Sequence, residues 1–569
     1  MADSEVSTTY ESSSTLLKPV LLLNQRLSNQ LEDNFKACCK RCYQMRRVKD
    51  KGAIILLILS YLMMSAFYTL LGFSDSSHVY RIWLLTFGVT TSLAGLLADA
   101  FVGRYKVIHC SILMTWLFMI IATVSSVIAQ LDDRYHQSNK KVLLVIFSLV
   151  GVGLGGFQAN IIQFGLDQLH DASTTEITSF IIWYVCTLSS AAIAVKVNFS
   201  CLNERYLLLL LLFTCFNLTL AVLLLLCCNQ WLIKEPVTQN PFKLVYKVIM
   251  YAIKTKHPRC RSAFTYCEDD LPSRIDFGKS KYGGPFTTEQ VEDVKTFLRL
   301  IPIMIISSLL AGATVTVFTL HESLSHQYTH FSESNLDNGN TFKKFVDKCY
   351  FKTGLVNSIY LIIVIMIVLH EVFIYPVFYR CCPYIKSLWK GMIGVVLQLL
   401  RVITLMLFDV TSRSIYLKNS EYNATILCVF YENYGTLSGS FSNYWMAIPT
   451  FLHYLSLILL LIGIIEFIAA QVPYFMKGLI IGAFYTLMVL FIAIEATLFL
   501  TLFTHKLSIW GAGAISCGFW FALSAIVIEL SVCVTLFLLV MWYKNRKRED
   551  VLPNEHFFAE RYYSTDTIQ

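Results

Sequence analysis

The chain has 569 residues, 56% of them hydrophobic and only 15% charged, with a formal charge of +8. A soluble protein of this size carries about 25% charged residues and divides into several domains, so a mean hydropathy of +0.58 excludes that class. Unpaired backbone groups are too costly in lipid for anything but helices or closed barrels; apolar runs long enough for a crossing helix, roughly 20 residues, recur about twelve times, and an all-α polytopic membrane protein is expected.

Residues 1–52 form a polar, Ser/Thr-rich tail that turns basic between Lys36 and Lys51. The composition of its first forty residues predicts disorder, and the basic run puts the tail in the cytoplasm by the positive-inside bias. No short apolar stretch with a cleavage site precedes the first long run, which is therefore expected to act as the insertion signal. Cys38, Cys39 and Cys42, beside the basic run, are either palmitoylation sites or ordinary thiols. Six spans follow, at 53–73, 79–98, 107–129, 142–165, 175–196 and 205–228, and make an N-terminal bundle over 53–228. A polar cytoplasmic loop, 229–297, ends in a capping box of Thr287 and Gln290, so a helix leads from it into the next span. Six further spans, at 298–320, 355–379, 390–410, 445–470, 476–503 and 511–541, make a C-terminal bundle over 298–541. An outer loop occupies 411–443, and the tail 542–569 returns to the cytoplasm.

Counting spans from an inside start puts the basic joints Arg104/Lys106 and Arg380/Lys386 inside as well. The same count leaves the acceptor motifs at Asn198 and Asn423 outside, where glycosylation is allowed, while a third match at Asn217 lies within span 6 and is inert. Insertion accounts for the basic surplus, and no nucleic-acid partner is implied. The seventeen cysteines show no paired spacing for a metal. No nucleophile–base pair or phosphate loop is present either, so neither cofactor nor enzymatic activity is expected.

Several segments, in order and on the expected spans, resemble the proton-dependent oligopeptide transporter (POT) family of the major facilitators. They are GLLADAFVGRYKVI (95–108) after span 2, GLGGFQANIIQFGLDQL (153–169) in span 4 and FIIWYVCTLSS (180–190) in span 5. HEVFIYPV (370–377) closes span 8, and YWMAIP (444–449) and IEFIAAQVPYFMKGLIIG (465–482) run from span 10 into span 11. The resemblance implies a major-facilitator fold, with 12 helices in two six-helix bundles rocking about a midplane site. It also implies a cytoplasmic gate at Gly95, Asp99, Gly103 and Arg104. Glycines there permit close backbone approach, the Asp99 carboxylate suits the positive start of a helix in the opposite bundle, and Arg104 would lock it.

The resemblance would further imply proton-driven peptide uptake, through Glu-x-x-Glu-Arg on span 1, a lysine on span 4 and a glutamate on span 10. Here those positions read Ser60, Met63 and Met64, then Gln158, then Leu457. The expected asparagine of span 5 is Thr187, and Asn357 lies two residues off its register on span 8. Removing one partner of a buried ion pair is costly, whereas removing every member strands nothing. The pathway is thus expected to be emptied of charge on its first-half side, with weak or absent transport of free dipeptides. A proton could still be carried by another group: His370/Glu371, His453 or Glu466. Glu466 is either a structural brace or a substrate-facing acid, and Arg81 either attracts anions at the outer mouth or snorkels. Tyr68, Trp183 and Tyr184 are expected to line the cavity, and Arg401 on span 9 to pair with Glu529 on span 12 as a scaffold brace. The leading expectation is a carrier of small peptides or peptide-like solutes in the plasma or endolysosomal membrane, in contact with substrate and bilayer. The alternative is a non-transporting receptor or scaffold derived from such a carrier.

Overall fold

The computed structural model describes residues 50–72, 77–131, 136–169, 174–200, 207–235, 237, 240–255, 273–333, 364–365, 367–368, 387–419, 447–505 and 517–543. The N-terminal half contains α1 (Lys51–Gly72), α2 (Ser77–Leu97), α3 (Arg104–Leu131), α4 (His136–Asp167), α5 (Thr174–Ser200) and α6 (Leu207–Cys227). A short helix, α7 (Pro241–Lys254), precedes α8 (Thr288–Glu333), α9 (Ser387–Asn419), α10 (Ala447–Gln471), α11 (Lys477–His505) and α12 (Cys517–Trp542). Among the described residues, ten helices are long and apolar enough to cross a bilayer, and α5 fills the position of another expected span. Span 8 lies outside the described residues apart from 364, 365, 367 and 368, which are helical. The described helices follow the plan of the major-facilitator fold, two bundles of six spans each. Residues 1–49 and 544–569 of the terminal tails, and the 411–443 loop beyond the end of α9, lie outside the described residues.

The helices carry polar side chains through the apolar layer by bonding them to their own backbone. Ser60 Oγ donates to the Leu56 carbonyl at 2.8 Å, and Thr115 Oγ1 to that of Ser111 at 2.8 Å. Close packing then comes from small residues rather than from a hydrophobic drive, since lipid is as apolar as leucine. The glycines of GVGLGG on α4 serve two neighbours. A Cβ at Gly151 or Gly155 would strike the backbone of Trp83 or Phe87 on α2, and one at Gly153 or Gly156 would meet Thr115 or Ser111 on α3. In the second half α9 packs on α10 and α12, and α8 on α11. The bundles meet where α11 lies against α2 and α4, and where α10 touches α5.

The polar loop between the bundles is built on α8. Thr287 and Gln290 form the expected reciprocal box, each backbone N–H reaching the other's side chain at 3.2 Å, and the helix therefore starts ten residues before the span does. Leu244, Val248 and Ala252 of α7 turn inward, and α7 packs on α8. Asp276 anchors the turn before the box. It accepts from the Ser273 N–H at 2.9 Å and Ser273 Oγ at 2.7 Å, pairs with Lys279 at 2.7 Å, and also binds Lys295 of α8. Burial pushes its carboxyl up, but the bonds from Lys279, Lys295 and Ser273 outweigh burial and hold it well below the usual carboxylate range. A depressed carboxylate stabilises above its unfolded value, near pH 4, and that stability drains away only as pH falls further toward the folded value. Asp276→Asn is therefore expected to cost about 2 kcal/mol at pH 7, the scale of hydrogen bonds to a charged group. Faster amide exchange over 273–287, with the transmembrane helices unchanged, is the measurement that checks it.

Candidate functional site

The chain leaves α2 through a single π turn, Ala98–Val102, closed by the Gly103 N–H on the Ala98 carbonyl at 3.0 Å. Gly103 has φ +92°, a backbone that only glycine adopts easily, and it lets α3 begin at once with Arg104. The turn folds Arg104 back on Asp99, with its Nε 3.0 Å from Oδ1, while its Nη1 reaches Asp167 Oδ2 at the end of α4, 2.7 Å away. Gln163 Nε2 donates to the other oxygen of Asp167 at 2.7 Å. Asp99 Oδ2 accepts the Leu479 N–H at 2.9 Å. Leu479 lies in the first turn of α11, where backbone donors have no helical partner and the dipole favours an anion. Two carboxylates and one guanidinium, all buried, are thus balanced by a helix start from the opposite bundle.

Above this cluster α2 and α11 close on each other without side chains between them. A Cβ at Gly95 would lie 2.3 Å from the Gly478 carbonyl oxygen, and one at Gly482 would lie 2.4 Å from that of Thr91. The next layer is hydroxylic: Thr91 and Thr486 lie 3.0 Å apart, and Thr486 Oγ1 donates to the Gly88 carbonyl at 2.6 Å. Gln158 makes the third layer. It stands nine residues before Asp167 on α4, about 13 Å further along the helix at 1.5 Å per residue, which is close to mid-bilayer. Its Nε2 donates to Tyr184 OH on α5 and to Tyr485 OH on α11, both at 2.8 Å, and so ties the two bundles together. Its Oε1 is buried with no hydrogen-bond partner among the described residues.

Gly95, Asp99, Gly103 and Arg104 thus come together at one joint. Ser60, Met63 and Met64 are buried on α1, with the Ser60 hydroxyl spent on its own helix. Tyr68 is half-buried edge-on against Phe67, ring centres 5.5 Å apart. Trp183, Thr187 and Leu457 are half-buried, Tyr184 is buried, and Thr187 Oγ1 donates to the Tyr184 carbonyl at 2.7 Å. Glu466 is gripped by Lys390 of α9 through both oxygens, at 2.9 and 2.7 Å, which is the geometry of a brace within the second bundle. Arg401 Nη1 lies 2.7 Å from His453 Nδ1 on α10 and 3.4 Å from Gln398 Oε1. An arginine nitrogen can only donate, so Nδ1 is the accepting nitrogen there. Glu529 is buried on α12, which packs against α9. The side chains of Arg81 and Asn198, the latter in the last turn of α5, lie outside the described residues, as do Asn357 and Asn423.

Four partners were not singled out from sequence. Asp167 was in view within GLGGFQANIIQFGLDQL, and so was Gln168, whose amide pairs with both the N–H and the carbonyl of Ile233 at 2.7 and 3.0 Å. Tyr485 and Lys390 carried no local signal: each meets its partner across hundreds or tens of residues.

A family model described as the POT family matches residues 105–514. Human solute carrier family 15 member 5 is 26% identical over 223 residues, covering 37% of this chain and 37% of that protein. Protein NRT1/PTR family 2.12 of Arabidopsis thaliana is 29% identical over 135 residues, 21% of this chain and 23% of its own length. The matches therefore span well under half of these curated relatives. Among solved structures, an auto-inhibited POT family peptide transporter superposes with a TM-score of 0.55 at 13% identity, over 89% of this chain and 100% of that one. At that identity the likeness speaks for the fold.

Proposed function

The chain belongs to the POT family of membrane transporters, and from that premise we propose that it carries a small peptide-like solute with uncharged ends by alternating access of its two bundles. Gln158 carries the reading. Where the family resemblance calls for a lysine, a neutral amide bridges the bundles through two phenols and keeps one acceptor in reserve. Together with Ser60, Met63 and Met64 on α1, this supports a first-half pathway that recognises by hydrogen bonds. A free carboxylate or ammonium entering it would be desolvated without a counter-charge, at a cost of several kcal/mol.

On this reading the Asp99–Arg104–Asp167 cluster and the start of α11 are the cytoplasmic gate, closed here in three layers. Arg401, His453 and Glu529 hold the second bundle together, Glu466 braces it through Lys390, and neither set moves a proton with the solute. Both ends lie in the cytoplasm, with Asn198 and Asn423 outside and open to glycosylation, in the plasma or endolysosomal membrane.

Uptake into proteoliposomes tests this with two probes of the same side chains, dialanine and its end-blocked form, N-acetyl-alanyl-alanine amide. The blocked peptide is expected to enter at least about tenfold faster, the factor that 1.4 kcal/mol of differential binding supplies, with little response to an acid-outside gradient. Accumulation of free dialanine driven by that gradient would overturn the reading.

A further inference from the structure

Outside the transport pathway, α7 presents three faces rather than two. At about 100° per residue, Pro241, Leu244, Val248 and Ala252 share the inward face, and all four are buried. Roughly a third of a turn away, Phe242, Tyr246, Ile249 and Ile253 form a second apolar stripe. Phe242, Tyr246 and Ile253 are 53%, 65% and 69% exposed, well beyond what a helix covered by its own protein shows. The remaining face is a row of Lys243, Lys247 and Lys254, all exposed, and α7 carries no acidic residue. Aromatic and branched side chains flanked by lysines on a short helix are the pattern of an element lying in the plane of the membrane surface. There the apolar stripe enters the acyl boundary while the ammonium groups reach the headgroups.

The position of α7 allows this. It packs on α8, whose side chains become outwardly exposed and apolar at Ile301 and Ile305. Trp231, half-exposed just after α6 with the Lys51 ammonium 5.6 Å from its ring centre, is a residue type that favours the membrane interface, here on the first bundle. The helix also touches the Ala98–Val102 turn, so what holds α7 bears on both bundles.

We propose that α7 is a docking site for anionic lipid on the inner leaflet, with Phe242, Tyr246 and Ile253 inserted and Lys243, Lys247 and Lys254 bound to phosphate or carboxylate headgroups. The test uses the full chain in nanodiscs with a genetically encoded fluorescent amino acid in place of Tyr246, and lipids carrying a shallow spin-label quencher. Quenching is expected in discs containing about 30% phosphatidylserine, at least about twofold stronger than in pure phosphatidylcholine, and weakened by 0.5 M salt, as screening requires. Lys243→Gln/Lys247→Gln/Lys254→Gln should reduce it to the phosphatidylcholine level without changing the melting temperature. Equal quenching in both lipids, or none in either, overturns the proposal. Shielding of the fluorophore that grows with the number of copies per disc also overturns it, because a second chain then covers the stripe.

Discussion

Arg104→Ala is expected to abolish transport and to lower the melting temperature of the detergent-purified protein more than any other single change at the joint. The guanidinium lies between two buried carboxylates, Asp99 and Asp167, and bonds to both. Its loss leaves two uncompensated negative charges facing each other out of water. Breaking a buried pair from one side costs about 3–5 kcal/mol, a large part of the roughly 5–15 kcal/mol that holds a protein folded. Arg104→Lys should recover part of the loss only, because a single ammonium cannot reproduce the planar fork that spans two carboxylates. The control is the triple change Asp99→Asn/Arg104→Leu/Asp167→Asn, which removes every charge at once. It should melt closer to the native protein than Arg104→Ala does, while transport stays lost because the helix start of α11 has no anion to meet. An Arg104→Ala variant that melts and transports normally would remove the gate from the proposal.

The second large effect is a wedge. Gly95→Val introduces a Cβ that would sit 2.3 Å from the Gly478 carbonyl oxygen and 2.8 Å from its carbon, and both are backbone atoms with no rotamer to retreat into. Overpacking of this kind costs about 1–3 kcal/mol. If the bundles alternate, the cost falls on the closed state alone and shifts the balance toward the inward-open form by roughly 5- to 150-fold. Spin labels at Leu97, the last residue of α2, and Ile301, near the start of the apolar run of α8, both exposed, should then report a longer-distance population absent from the native protein. Gly482→Val, against the Thr91 carbonyl, should do the same. A rigid receptor or scaffold predicts something else: a lower melting temperature with one unchanged distance. The two variants therefore separate a working carrier from a non-transporting relative, which the uptake assay with one pair of probes does not.

Part of the site is legible in local sequence. Asp99 and Arg104 stand five residues apart across a glycine, so their meeting is a local matter of one turn. The absence of charge between residues 53 and 73 is a property of composition and survives any change of register within that span. The capping box at Thr287 and Gln290 was equally local, and it showed that the helix into span 7 begins well before the apolar run. Glu466 marks the other limit. The sequence left it balanced between brace and substrate contact, and Lys390, which lies 76 residues earlier, supplies the geometry of a brace. Gln158 was visible as a missing charge, but its role as a bridge depends on Tyr485, which belongs to the other bundle.

The division follows from the solvent. Lipid offers no hydrogen bonds, so each span must be satisfied within its own run, and the number, length and polarity of spans are written in consecutive residues. Which face of a helix meets which neighbour is settled by small-residue packing between segments hundreds of positions apart. The partners of Asp99, Gln158 and Glu466, and the bare aromatic stripe on α7, follow from that rotation and depth, to which local composition is blind.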